Sequence, residues 1–170
     1  MSKLEEAQRL IDSIKNENVR EYYQYVLGPE EFFEVYKKFG DRGFVFDPNS
    51  GLMFRDLFSK KVQGEIECTL VEGVFPRPVD LHYHKDVDEY LLVLEGEGTL
   101  VFTTKDGTVK EGIELKEGTE VKIPVGTPHS FIPDGEYLLI RLACKGLLDP
   151  QKEVTLSPFS DYWSWGLFRE

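Results

Sequence analysis

The sequence predicts a mainly β, single-domain fold with a helical segment at its N-terminus. Three observations lead there. A chain of 170 residues suits one domain with a sizeable core. Helical apolar periodicity is confined to residues 1–42. After Gly43 the texture changes to short β-branched and aromatic runs punctuated by Gly, Pro, Asp and Asn, which suggests a sandwich or barrel.

In residues 2–25 Leu4, Ala7, Ile11 and Ile14 recur at three- and four-residue steps, the pattern of an amphipathic helix. Residues 16–18 read as a break, after which Tyr22, Tyr23 and Val26 continue a second apolar stripe. Gly28 is placed to end that stripe and Pro29 to begin a new helix. Phe32, Phe33, Val35, Tyr36 and Phe39 give the new helix a broad apolar face, closed by Gly40. These faces need burial, against the main domain or a second copy of the chain. Strands are expected at 44–46, 53–58, 65–74, 90–94, 98–104, 112–115, 120–123, 129–132 and 137–143, with Thr104 to Gly107 as a turn. Residues 146–170, with Pro150, Pro158, Phe159, Tyr162, Trp163, Trp165 and Phe168, read as an aromatic-rich arm. The expected organisation is a helical segment at 1–42, a β domain at 43–145 and the arm at 146–170.

Composition narrows the function. The chain has 20 Lys+Arg against 31 Asp+Glu, a formal charge of −11. That excess disfavours DNA or RNA, whose binding rests on neutralised phosphates, and leaves no basic face for anionic lipid. Its longest aliphatic stretch, near residues 91–94, is too short to span a bilayer. The N-terminus is charged and lacks the apolar core of an export signal. Two cysteines, Cys68 and Cys144, are too few for a disulfide scaffold. The expectation is a cytoplasmic protein that meets small molecules or other proteins.

The chain has three histidines, and their spacing carries the chemistry. His82 and His84 flank Tyr83. On an extended chain residues i and i+2 share a face, so both imidazoles aim at one point. Glu89 opens the next strand, and His129 opens another after Pro124, Gly126 and Pro128. Three imidazoles and one carboxylate converging there form a site for one divalent transition metal ion: Fe, Mn, Ni or Zn. The alternative is a polar cluster inside a barrel without metal.

These residues resemble the cupin family. Its first motif is HxH, three or four residues, Glu, six residues, Gly; here His82-Tyr-His84, four residues, Glu89, six residues, Gly96. Its second is Gly, five residues, Pro-x-Gly, two residues, His; here Gly118, five residues, Pro124-Val-Gly126, two residues, His129. A 21-residue spacer separates them. The chain departs from the pattern at Pro76, where the first motif opens with Gly, and at Pro133, where the second ends in Asn. The resemblance covers roughly residues 65–143. It implies a single double-stranded β-helix, or jelly-roll barrel, with metal ligands His82, His84, Glu89 and His129, and pairing as a homodimer.

Other residues read in two ways. Gly96, Gly98, Gly118 and Gly126 are turn and close-packing positions. Asp86, Asp88, Glu89, Glu95 and Glu97 against Lys85 favour a cation or are ordinary solvated positions. Tyr90, Phe102 and Phe131 line a pocket or are core. Arg77, Lys122 and Arg141 are the cations near the motif strands, and Arg141 faces solvent or anchors an interior anion. Cys68 and Cys144 read as packing.

A metalloenzyme of dioxygenase type, or a sugar or carbonyl isomerase, fits this site, with Glu89 as ligand or catalytic base. A sugar phosphate would lack cationic anchors. The reading from another class is a non-catalytic, metal-dependent binding or sensing module; structural zinc is a third, disfavoured by the absence of thiolates from the ligand set.

Overall fold

The structure, a computed structural model, describes residues 1–62, 65–145 and 153–159. Three helices lead. α1 (Lys3–Ser13) starts at Ser2, whose hydroxyl accepts from the Glu5 N–H at 3.1 Å. α2 (Glu17–Glu21) is capped by the Asn16 side chain, so the break falls just before Asn16 and Asn18 lies inside the new helix. α2 runs on into a π-helical turn, Tyr22–Leu27, which ends at Gly28 with φ 96°. There a side chain would be strained, and Pro29 then opens α3 (Pro29–Gly40).

Eleven strands follow: β1 (Val45–Asp47), β2 (Leu52–Val62), β3 (Glu65–Phe75), β4 (Leu81–His84), β5 (Glu89–Glu95), β6 (Gly98–Thr103), β7 (Val109–Leu115), β8 (Glu120–Ile123), β9 (His129–Pro133), β10 (Leu138–Lys145) and β11 (Glu153–Ser157). They form two antiparallel sheets, of order β1-β2-β3-β10-β5-β8 and β11-β4-β9-β6-β7. Among the described residues the sheets face each other without closing into a continuous barrel.

Alternation along the strands sorts the residues. Inward, Val71, Phe75, Leu91, Val93, Leu100, Phe131, Ile140 and Leu142 form the main core between the sheets. Outward, the two sheets are covered by the helices. Leu81, Val101 and Ile132 pack under Ile11, Ile14, Val19, Tyr22 and Tyr23. Met53, Val74 and Leu139 pack under Val35 and Phe39 of α3. The helical faces are therefore buried on both sheets within one chain.

Nine strands fall where the sequence places them, with shifted ends. β2 runs on to Val62 and β7 starts earlier, at Val109. Leu81–His84, which the sequence marks only as extended chain, is a paired strand, and β11 lies inside the expected arm. Phe159 of that arm is buried against Tyr22, with ring centroids 5.7 Å apart. Pro150, Tyr162, Trp163, Trp165 and Phe168 lie outside the described residues. Gly96 and Gly98 keep their close-packing reading: a Cβ on them would run into the Tyr137 and Ile132 carbonyls.

Candidate metal centre

β4 points His82 and His84 inward, and β9 sets His129 directly opposite His82 in the ladder. The three rings lie with centroids 5.0 Å (His82–His84), 4.3 Å (His82–His129) and 5.5 Å (His84–His129) apart. One ligand atom from each falls within 4.8 Å of the others, and all three residues are buried. Glu89 arrives from the opposite sheet as the first residue of β5. Its Oε2 lies 2.7 Å from His84 Nε2 and 3.8 Å from His129 Nε2.

Backbone carbonyls decide which nitrogen faces the centre. His82 Nδ1 lies 2.6 Å from the Asp80 carbonyl and His129 Nδ1 lies 2.9 Å from that of Thr127. A carbonyl only accepts, so both Nδ1 atoms carry the proton and donate. In the neutral ring this leaves Nε2 with its lone pair, the arrangement a metal-binding histidine needs. His129 Nε2 is buried and has no hydrogen-bond partner. Leaving such an atom unsatisfied costs about 1–3 kcal/mol; a metal ion would satisfy it. The donor set fits a divalent transition metal: three imidazoles, one carboxylate and no thiolate.

Protonation follows burial. Burial first, with His82 beside it, pushes His129 down to about 3, so it is neutral. Burial also works to lower His84, but the hydrogen bond and charge of Glu89, helped by Glu153, outweigh it and hold His84 above its usual value. Burial would raise Glu89; the His84 hydrogen bond and the imidazoles around it win and keep its carboxyl low. Glu89 is thus an ionised carboxylate bonded to one histidine of the cluster.

The loops that carry the two motifs are tied together. The Gly126 N–H donates to the His84 carbonyl at 2.8 Å, and the Val125 N–H donates to Asp88 at 2.7 Å. Asp88 thereby has a structural role beside its solvated one. Lys122 stands 3.7 Å from Asp88. Arg141 points away from the site: with Arg55 it grips the buried carboxylate of Glu72. Of the three aromatics, Phe131 lines the cavity, Phe102 packs against the core, and Tyr90 is exposed. Neither Cys68 nor Cys144 is in a disulfide.

A cavity of about 700 Å³ opens beside the cluster and reaches His82, His84 and Glu89. That is within the size range of small-molecule sites. Its wall includes groups the sequence reading missed. Glu153 pairs with His84 across β11 and β4, with its Oε1 3.7 Å from His82 Nδ1. Val154 and Leu156 alternate with polar neighbours, the only local sign of β11. Nothing local marks its pairing with β4. Asp56 on β2, also missed, lines the cavity too; Arg77, one of the cations that the sequence places near the motif strands, joins them and is buried.

No protein-family model matches the chain. The uncharacterised protein MJ1618 of Methanocaldococcus jannaschii is 28% identical over 96 residues, covering 55% of this chain and 72% of that protein. Among solved structures, Streptomyces Pac13, a nucleoside dehydratase, superposes in a uridine-bound variant with a TM-score of 0.53. It is 13% identical, covering 69% of this chain and 87% of that one. A variant of Bacillus subtilis oxalate decarboxylase superposes with a TM-score of 0.50 at 20% identity. There the match covers 62% of this chain and 28% of the decarboxylase. Both solved neighbours have the cupin fold, and both are enzymes by name. The chain shares that fold.

Proposed function

We propose that His82, His84, His129 and Glu89 hold one divalent transition metal ion, and that the protein is a metalloenzyme acting on a small organic molecule in the adjoining cavity. The observation that carries the proposal is the His129 Nε2 atom: buried, neutral and without a partner, at the meeting point of two other imidazoles. Bound there, iron, manganese, nickel or zinc would supply Lewis acidity, and iron also oxygen chemistry, so that the reaction is of dioxygenase or of sugar or carbonyl isomerase type.

The chain's own groups have defined tasks. The Asp80 and Thr127 carbonyls hold two imidazoles in one tautomer, so that the site is oriented before anything binds. Glu89, ionised and bonded to His84, is a fourth ligand or the group that accepts a proton from substrate. Leu52, Val71, Val79 and Phe131 give the cavity an apolar wall that limits water at the reacting end. The proposal also has the chain work as a cytoplasmic homodimer without nucleic-acid partners. Cys68 and Cys144 outside any disulfide, the exposed Leu57 and Phe58 on β2, and the charge of −11 support those three points in turn.

The test is turnover. Protein loaded separately with Fe(II), Mn(II), Ni(II) or Zn(II) is assayed for O₂ uptake and for isomerisation on diketones, catechols and sugars. Turnover that disappears in Glu89→Gln is expected. Metal bound at the site with no turnover on any class would replace the enzyme with a metal-dependent binding module.

A further inference from the structure

We infer that the cavity takes a small organic molecule bearing a protonated amine, whose ammonium group is received by Asp56 and Glu153. The inference rests on reading this cavity as the substrate site.

Sorting the charged groups of the wall by what they already hold leaves these two. Asp47 accepts from the Asn49 N–H at 3.0 Å and the Ser50 hydroxyl at 2.7 Å. Asp80 accepts from the Phe159 N–H at 2.8 Å, and Glu89 is bonded to His84. Arg77 has its guanidinium on backbone: Nε and Nη2 donate to the Ser50 carbonyl at 3.3 and 2.9 Å, and Nη1 to that of Pro78 at 2.7 Å. Its face lies 4.9 Å from the Phe159 ring centroid. A guanidinium so engaged ties the β1–β2 turn and the chain after β11 together; it does not present an open fork to a carboxylate or phosphate.

Asp56 and Glu153 are different. Among the described residues no donor hydrogen-bonds to either: Glu153 lies 3.7 Å from His82, whose Nδ1 proton is donated to the Asp80 carbonyl, and it acts on His84 through its charge alone, His84 Nε2 being bonded to Glu89. They come from opposite sheets, Asp56 from β2 and Glu153 from β11. Asp56 is exposed and Glu153 half-buried beside the histidines, so the acidic wall runs from solvent toward the cluster. Both line the same cavity, and a ligand cation entering it meets negative charge that no described cation offsets.

An independent feature of the same wall points the same way. Phe54, Phe75 and Phe131 stand edge to face in series, with centroids 6.2 and 4.6 Å apart. All three line the cavity. Ring faces attract an ammonium and accept the carbon frame that carries it. At its inner end the cavity meets His82 and His84, beside the partnerless His129 Nε2. An amine seated on the carboxylates would extend its other end to that centre.

Three probes of one shape separate the possibilities: phenethylamine, 2-phenylethanol and 3-phenylpropanoate, titrated into the full chain by protein-observed NMR with and without chelator. Phenethylamine should bind at least about tenfold tighter than the alcohol, with the carboxylate weakest. Asp56→Asn combined with Glu153→Gln should erase that preference while the far-UV spectrum stays unchanged. Equal binding of amine and alcohol, stronger binding of the carboxylate, a preference that survives the double substitution, or no binding of the amine would each overturn the inference. Metal content, read separately by elemental analysis, keeps the two readings apart. A chain that takes up no metal yet prefers the amine defeats the metal site alone.

Discussion

His129 places a neutral imidazole in the interior with one nitrogen fixed on Thr127 and the other without a partner. A residue kept there for packing alone would be better replaced by an apolar side chain. Glu72 is buried just as thoroughly, on the outer face of the larger sheet, but its oxygens are satisfied by Arg55 and Arg141 from the strands on either side. Burial pushes its carboxyl up, and the two guanidinium hydrogen bonds outweigh burial and hold it below the ordinary 4.5. A depressed folded value means that the stability Glu72 contributes is full above the unfolded value and drains as pH falls through the folded one. The urea midpoint of the wild type should therefore drop more steeply than that of Glu72→Gln as pH is lowered from about 5 toward 3. Parallel curves for the two proteins would show that the Arg55–Glu72–Arg141 row does not carry acid sensitivity.

At the scale of elements, the helical layer is held by large side chains driven into both sheets. Phe39 is fully buried between α3 and the six-stranded sheet, edge on to Phe44 and Tyr137 at 5.3 and 5.0 Å. Phe39→Ala should cost about 3–5 kcal/mol in chemical unfolding. A loss below about 1 kcal/mol would mean that the layer collapses around the gap or contributes little. This layer was legible from sequence because its signals are local: Gly28, Pro29 and an apolar stripe specify α3 without reference to anything distant. The strand positions were legible for the same reason, and the histidine spacing located the centre because alternation on a strand dictates which side chains converge. β11 was not legible. Its pairing with β4 joins residues about seventy positions apart in the chain, and no local pattern encodes a partner. Glu153 and Asp56 were missed in consequence, since a carboxylate on a strand acquires meaning only from what stands across the cavity.

For the whole molecule, the excess of acidic residues gains a location. Part of it lines the cavity next to the histidines, where Asp56, Glu89 and Glu153 create a field that favours a bound cation. The account as a whole depends on the three imidazoles acting together on one ion. The most direct test is the metal content, by elemental analysis, of the wild type and of His84→Ala, each purified without added metal and then offered Fe(II), Mn(II), Ni(II) and Zn(II) in turn. The account predicts about one tightly held ion per wild-type chain and less than about a tenth of that in the variant, with the far-UV spectra superimposable, since removing His84 takes one of the three imidazoles from the ligand set. Equal metal in both proteins, or none in the wild type with any of the four ions, would contradict it.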